Sequence, residues 1–176
     1  MKIAALTDYN PDNLLLWPDS VMVRSGKPVF IPDSTRHSEY DIRFAICARI
    51  CRLGRCVEQR FASRYFDRAM PVALILPAEA SDALRNGTIP LASDIFFDGC
   101  IVLGEPFSPD SPTVSVLEQS ISVASERMML KIGDLVISPL PADADSKAVI
   151  GQRYQYNPPL LSQELPREPL LRFSIK

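Results

Sequence analysis

The chain has 176 residues, 47% of them hydrophobic and 23% charged, with a formal net charge of −2. That length fits a single domain spanning residues 1–176, and a domain of this size buries about 70% of its unfolded surface, so no metal or disulfide is needed to hold a core. The charge balance and the lack of a long basic run remove the electrostatic footprint of a nucleic-acid binder, and no apolar run approaches the ~18 residues of a membrane span.

MKIAALTDYN lacks the apolar centre of a signal peptide and reads as a first strand over 2–6, which makes the cytoplasm the default compartment. LLLWPDSVMV gives two short strands about a Pro-Asp turn, and SGKPVFIPD a turn and another strand. EYDIRFAICARIC is a long strand with Tyr40, Ile42, Phe44 and Ile46 on one side; a phase break near Cys47 and Ala48, resumed at Ile50, points to a bulge or a strand end. RLGR is a turn built on Gly54. VEQRFASRYFD has the spacing of an amphipathic helix, with Val57, Phe61 and Tyr65 in line. MPVALILP is an apolar strand, and AEASDALRNGTIP holds a helical turn stopped by Asn86-Gly87.

DIFFDGCIVLG reads as a strand entering and leaving an Asp-Gly turn. LEQSISVASERMML fits a second helix, with Leu117, Ile121, Ala124 and Met128 on one face. KIGDLVISPLP is a Gly-Asp turn followed by a strand, PADADSKA a polar loop, and GQRYQYN and LLRFSIK closing strands. Sixteen prolines punctuate these segments, and proline is excluded from strand centres and most helix interiors. The pattern is α+β, rich in short strands, with two short helices.

Few residues advertise chemistry. Cys47, Cys51, Cys56 and Cys100 form no CxxC pair, and with one histidine they read as structural rather than as a zinc site. His37, in STRHSEY, is a solvated loop residue; no serine or cysteine motif beside it supports a general base. Asp98 precedes Gly99 and reads as a turn residue. Asp41 and Glu39 read as a solvent-facing strand edge, with a weak cation site as the alternative. Arg49, Arg52, Arg55, Arg60 and Arg64 make a solvated or interface face, or an anion site. Trp17 is expected in buried packing or a dimer contact.

Four segments carry a resemblance: MKIAALTDYN, WPDSVMVRSGKPVFIPD, ARICRLGRCVEQRFASRYFD, and MMLKIGDLVISPLP followed by GQRYQY. Together they resemble the fumarylacetoacetate hydrolase family, in particular its short bacterial members. The resemblance implies a mixed β-roll, usually dimeric, and a divalent cation held by carboxylates. Hard cations such as Mg²⁺ and Ca²⁺ take oxygen ligands.

The residues that the resemblance assigns to chemistry depart from the family pattern. Its two glutamates, spaced by two on one face of a strand, fall on Asp41 and Arg43 when Tyr40 is the anchor, or on Arg43 and Ala45 when the RLGR turn is. Its third ligand, an aspartate, falls on Leu74, and an Arg-Asp pair beyond it on Ala78 and Glu79. Of a lysine and an aspartate three apart, Asp98 is kept and Ile95 replaces the lysine. The Thr-Gly-Thr-Pro substrate loop becomes Ser138-Pro139-Leu140-Pro141. A lid segment after the first tyrosine is missing, since Tyr9 runs almost directly into LLLWPDS, and Trp17 stands where a lysine is common.

The expected function is therefore a non-catalytic member acting as an interaction or regulatory subunit. It would be a homodimer or a heterodimer with a related chain, with no nucleic-acid or membrane partner. No catalytic residue and no cofactor are expected. One alternative is a metal-dependent hydrolase or decarboxylase of 2,4-diketo or 2-oxo acids with a rebuilt site, taking Mg²⁺ or Ca²⁺ at the remnants Asp41 and Asp98. Another is a metal-free binder of a small organic anion, using Tyr9, Arg43 and Asp98.

Overall fold

The computed structural model describes residues 1–32, 39–90, 95–158 and 168–176; His37 lies outside the described residues. The strands are β1 (Lys2–Leu6), β2 (Leu14–Pro18), β3 (Met22–Arg24), β4 (Pro28–Val29), β5 (Tyr40–Ile50), β6 (Phe66–Pro77), β7 (Ile101–Leu103), β8 (Leu135–Ile137), β9 (Ser146–Lys147), β10 (Arg153–Tyr156) and β11 (Leu171–Ile175). Helices α1 (Ala78–Arg85) and α2 (Ser111–Arg127) accompany them, with short 3-10 helices at Asp19–Val21 and Gln59–Tyr65.

One mixed sheet has the order β2-β1-β8-β5-β6-β7-β3, with β9 added on β5; a smaller sheet has the order β10-β11-β4. Its spine is the antiparallel pair β5 and β6, in register from Tyr40 opposite Pro77 to Ile50 opposite Phe66. The large sheet is curled. Ile3, Trp17, Ala45, Cys47, Val72, Leu74, Ile101, Leu135 and Ile137, all from its strands, meet in one buried cluster that fills the inside of the roll. The other side of β5 is covered twice. Tyr40 and Ile42 pack with Tyr154, Phe173 and Ile175 of the small sheet, and Ala48 and Ile50 pack under Leu117, Ile121 and Ala124 of α2.

This double coverage explains the phase break expected near Cys47 and Ala48. Alternation continues through both residues; they look alike because both faces are buried there. The register shift comes later, between Arg49 and Ile50. Helix α2 starts where the chemistry favours it: the Asp110 carboxylate accepts from Thr113 N at 3.0 Å, and a proline occupies the first turn.

Three expected elements differ. The segment from Val57 is not an amphipathic α-helix: Glu58 is extended and gives no capping bond, and a 3-10 helix buries Ala62 while leaving Phe61 exposed. The Asp98-Gly99 turn is left by strand β7, but Phe96 and Phe97 before it are not in a strand. The loop after Pro141 contributes β9, because Asp145 N donates to Ile42 O at 2.9 Å and its carboxylate accepts from Phe44 N at 2.7 Å. Among the described residues no helix is long and apolar enough to cross a membrane.

Candidate functional site

Period two sends Asp41, Arg43, Ala45 and Cys47 to the inside of the roll. Ala45 and Cys47 join the apolar filling. Arg43 sits at its mouth and is fully buried. Its Nη1 donates to the carbonyls of Pro141 and of Ala142, the latter at 2.8 Å. Its Nη2 donates to the Ser81 carbonyl at 2.9 Å and the Ser81 hydroxyl at 2.8 Å. Nε is buried without a hydrogen-bond partner among the described residues.

Burial lowers the pKa of the Arg43 guanidinium, opposed by the negative charge of Asp41. A guanidinium stays protonated in any protein, so this charge is neutralised chiefly by oxygen dipoles of the chain. Directly across the ladder from Arg43 is Leu74, also fully buried.

Asp41 is the correction at this site. It is not on a solvent-facing edge: β9 pairs over it, with Lys147 in register opposite, and its side chain is 4% exposed. Lys147 Nζ lies 3.0 Å from Asp41 Oδ1 and 3.0 Å from Glu39 Oε2. Asp41 first, then Glu39, holds the Lys147 ammonium above its ordinary range. Outside this pair a cleft of about 410 Å³ opens, where Arg85 is ion-paired with Asp82 and Asp143.

The loop Ser138–Pro141 closes the mouth. Ser138 N donates to Ile46 O at 2.9 Å and Leu140 N to Leu6 O at 2.9 Å. Leu140 is buried in the apolar filling, and Pro141 turns its carbonyl onto Arg43. Ser81 reaches the same guanidinium from α1. No local pattern marks Ser81 or Lys147: Ser81 acts through its carbonyl as well as its hydroxyl, and both lie far along the chain from the groups they meet.

No family model matches this chain, and no curated protein matches it. Solved structures do. A provisionally named fumarylacetoacetate isomerase/hydrolase from Oleispira antarctica superposes with a TM-score of 0.71 at 13% identity, over 99% of this chain and 92% of that one. Maleylpyruvate hydrolase from Sphingobium sp. SYK-6 gives 0.71 at 13%, over 99% and 70%. Fumarylpyruvate hydrolase from Pseudomonas aeruginosa, crystallised with Mn²⁺ and pyruvate, gives 0.59 at 12%, over 81% and 76%. The chain has the fumarylacetoacetate hydrolase fold.

Within that fold the divalent cation implied by the resemblance does not fit the residues present. Arg43 brings a fixed positive charge, Ala45 and Leu74 offer no lone pair, and Asp41 is engaged by Lys147. Among the described residues no group of three or more His, Cys, Asp and Glu stands where it would hold a metal. Asp98 lies elsewhere, in the turn before Gly99, whose φ is +88°, beside Val23 and Val29.

Tyr9 is also apart from Arg43. It is 40% exposed, and its hydroxyl has Ser120 of α2 as hydrogen-bond partner. No contact brings Tyr9, Arg43 and Asp98 together among the described residues. The β1–β2 turn is short, with Thr7 N donating to Asn13 O at 3.2 Å. Trp17 is buried packing, its indole N–H donating to Ile95 O at 3.4 Å. Ala78 and Glu79 open the first turn of α1.

Proposed function

We propose that this chain is a non-catalytic protein of the fumarylacetoacetate hydrolase fold, working as an interaction or regulatory subunit, as a homodimer or paired with a related chain. One observation carries the reading: Arg43 fills the mouth of the roll, with four hydrogen bonds to carbonyl and hydroxyl oxygens, directly opposite Leu74. A metal would have to displace a tethered cation that is already solvated by the chain, and it would find an aliphatic wall behind it. The same bonds argue against Arg43 as an anion receptor, because both of its terminal nitrogens already face protein oxygens.

The test is calorimetric titration of the purified protein with Mg²⁺, Mn²⁺ and Ca²⁺, beside a metal-binding protein of this fold, with turnover of a 2,4-diketo acid followed by absorbance. The expected outcome is no saturable heat at about 1 mM metal, an affinity worth only ~4 kcal/mol, and no turnover. Saturation at micromolar metal, or metal-dependent cleavage, would overturn the reading.

A further inference from the structure

Between residues 49 and 68 six arginines stand against two carboxylates and no lysine, in a chain whose total charge is −2. The fold gathers part of this run at one end of the molecule, together with exposed apolar side chains. Gly54 and Leu130 form an antiparallel bridge, with N–H to carbonyl distances of 3.1 and 2.8 Å. Leu130 is fully buried. An alanine Cβ at Gly54 would stand 2.5 Å from the Tyr65 ring, so the turn sits against the end of the 3-10 helix.

Alternation then turns Leu53, the residue before Gly54, outward. Leu53 is 64% exposed and Ile132, at the next turn, 74%. Phe61 is exposed on the adjoining helix, with the Arg60 and Arg64 guanidinium carbons 4.6 and 5.3 Å from its ring centroid. Arg60 is paired with Glu58, but Arg52 and Arg55 have no ion-pair partner among the described residues.

Exposed aliphatic and aromatic groups set among arginines, with little lysine, have the composition of the buried centre of a protein–protein interface. A bilayer or nucleic-acid backbone would be met by uniform positive charge, whereas here the Glu58 and Asp67 carboxylates are interleaved. We infer that this end, around Leu53, Phe61 and Ile132 with Arg52, Arg55 and Arg64, docks an acidic segment of a partner protein that carries apolar anchors between its carboxylates. Charge complementarity sets the partner's sign, and the apolar anchors supply the desolvated centre.

The test uses the full chain and a fluorescein-labelled peptide of alternating Glu and Leu pairs, read by anisotropy at low salt. Parallel titrations use the same peptide with Lys for Glu, vesicles of mixed phosphatidylserine and phosphatidylcholine, and a single-stranded RNA. Saturable binding of the acidic peptide is expected, weakened about tenfold both in R52E/R55E/R64E and in L53S/I132S, with thermal melts verifying that both variants fold. The Lys peptide should not bind. No saturation, equal binding by the charge-reversed variant, or tighter binding of vesicles or RNA would overturn the inference. The result is independent of the closed mouth: metal binding there would remove the proposed function and leave this surface untouched.

Discussion

Arg43 and Leu74 face each other across the β5–β6 ladder at full burial. The resemblance places carboxylates at both positions. Here the chain supplies its own cation, an aliphatic side chain stands opposite it, and carbonyls of the loop after β8 complete its surroundings.

Arg43 should therefore be a stability residue. Removing it strands the buried Ser81 carbonyl and hydroxyl, while the half-buried Pro141 and exposed Ala142 carbonyls can turn to water, and a stranded buried group costs about 1–3 kcal/mol. Arg43→Ala is expected to lower unfolding free energy by about 2–3 kcal/mol in urea titrations. Arg43→Lys should recover only part, because a single ammonium cannot span oxygens that a planar fork reaches from two sides. An alanine variant as stable as the parent would show that the four bonds contribute nothing net.

Asp134 ties two strand starts together. Its carboxylate accepts from Lys2 N at 3.0 Å and Lys131 N at 2.8 Å, and it is ion-paired with the Lys2 ammonium while 1% exposed itself. Asp134→Ala should cost about 2–3 kcal/mol in chemical denaturation, with β1 losing amide-exchange protection first.

Asp67 gives the pH dependence. Its bond from the Arg49 guanidinium holds its pKa below the usual carboxylate value. A depressed folded pKa stabilises above the unfolded value of about 4 and is lost as pH falls through the folded value. Asp67→Asn should thus be less stable than the parent at neutral pH and converge with it in strong acid. Parallel melting curves at all pH values would contradict this.

The four thiols should sort by burial. Burial pushes Cys47 up to about 12 and Cys100 up to about 11, and both are enclosed, whereas Cys56 is exposed. With Ellman's reagent at neutral pH, Cys56 should react within the mixing phase. Cys47 and Cys100 should react only at the rate of unfolding, since the thiolate is the nucleophile. Prompt labelling of all four would mean the roll opens readily.

Gly104 lies where a Cβ would stand 2.6 Å from the Pro71 ring and 2.7 Å from the Leu170 carbonyl. The carbonyl is backbone and cannot swing away, so Gly104→Ala is expected to destabilise by about 1–3 kcal/mol in thermal melts.

Much of this fold was written locally. Period-two alternation in β5, the apolar run of β6, the apolar stripe of Leu117, Ile121 and Ala124 in α2, and the Gly-Asp turn before β8 each depend on neighbours within a few residues. For that reason the sequence located them. The same locality placed Arg43 and Leu74 at the strand positions where the resemblance expects carboxylates. What it missed is what neighbours do not determine. The Val57–Tyr65 spacing imitates an α-helix, but the uncapped, extended Glu58 starts only a 3-10 helix, whose last residue, Tyr65, packs where Gly54 leaves no room for a side chain. Asp41 looks like an exposed edge until β9, about a hundred residues on, pairs over it. The filling of the mouth needed the tertiary structure most of all. The groups that hold Arg43 are mainly backbone carbonyls, which every residue carries and no sequence marks, so only the curl of the sheet and the path of the loop after Ile137 decided that they meet there.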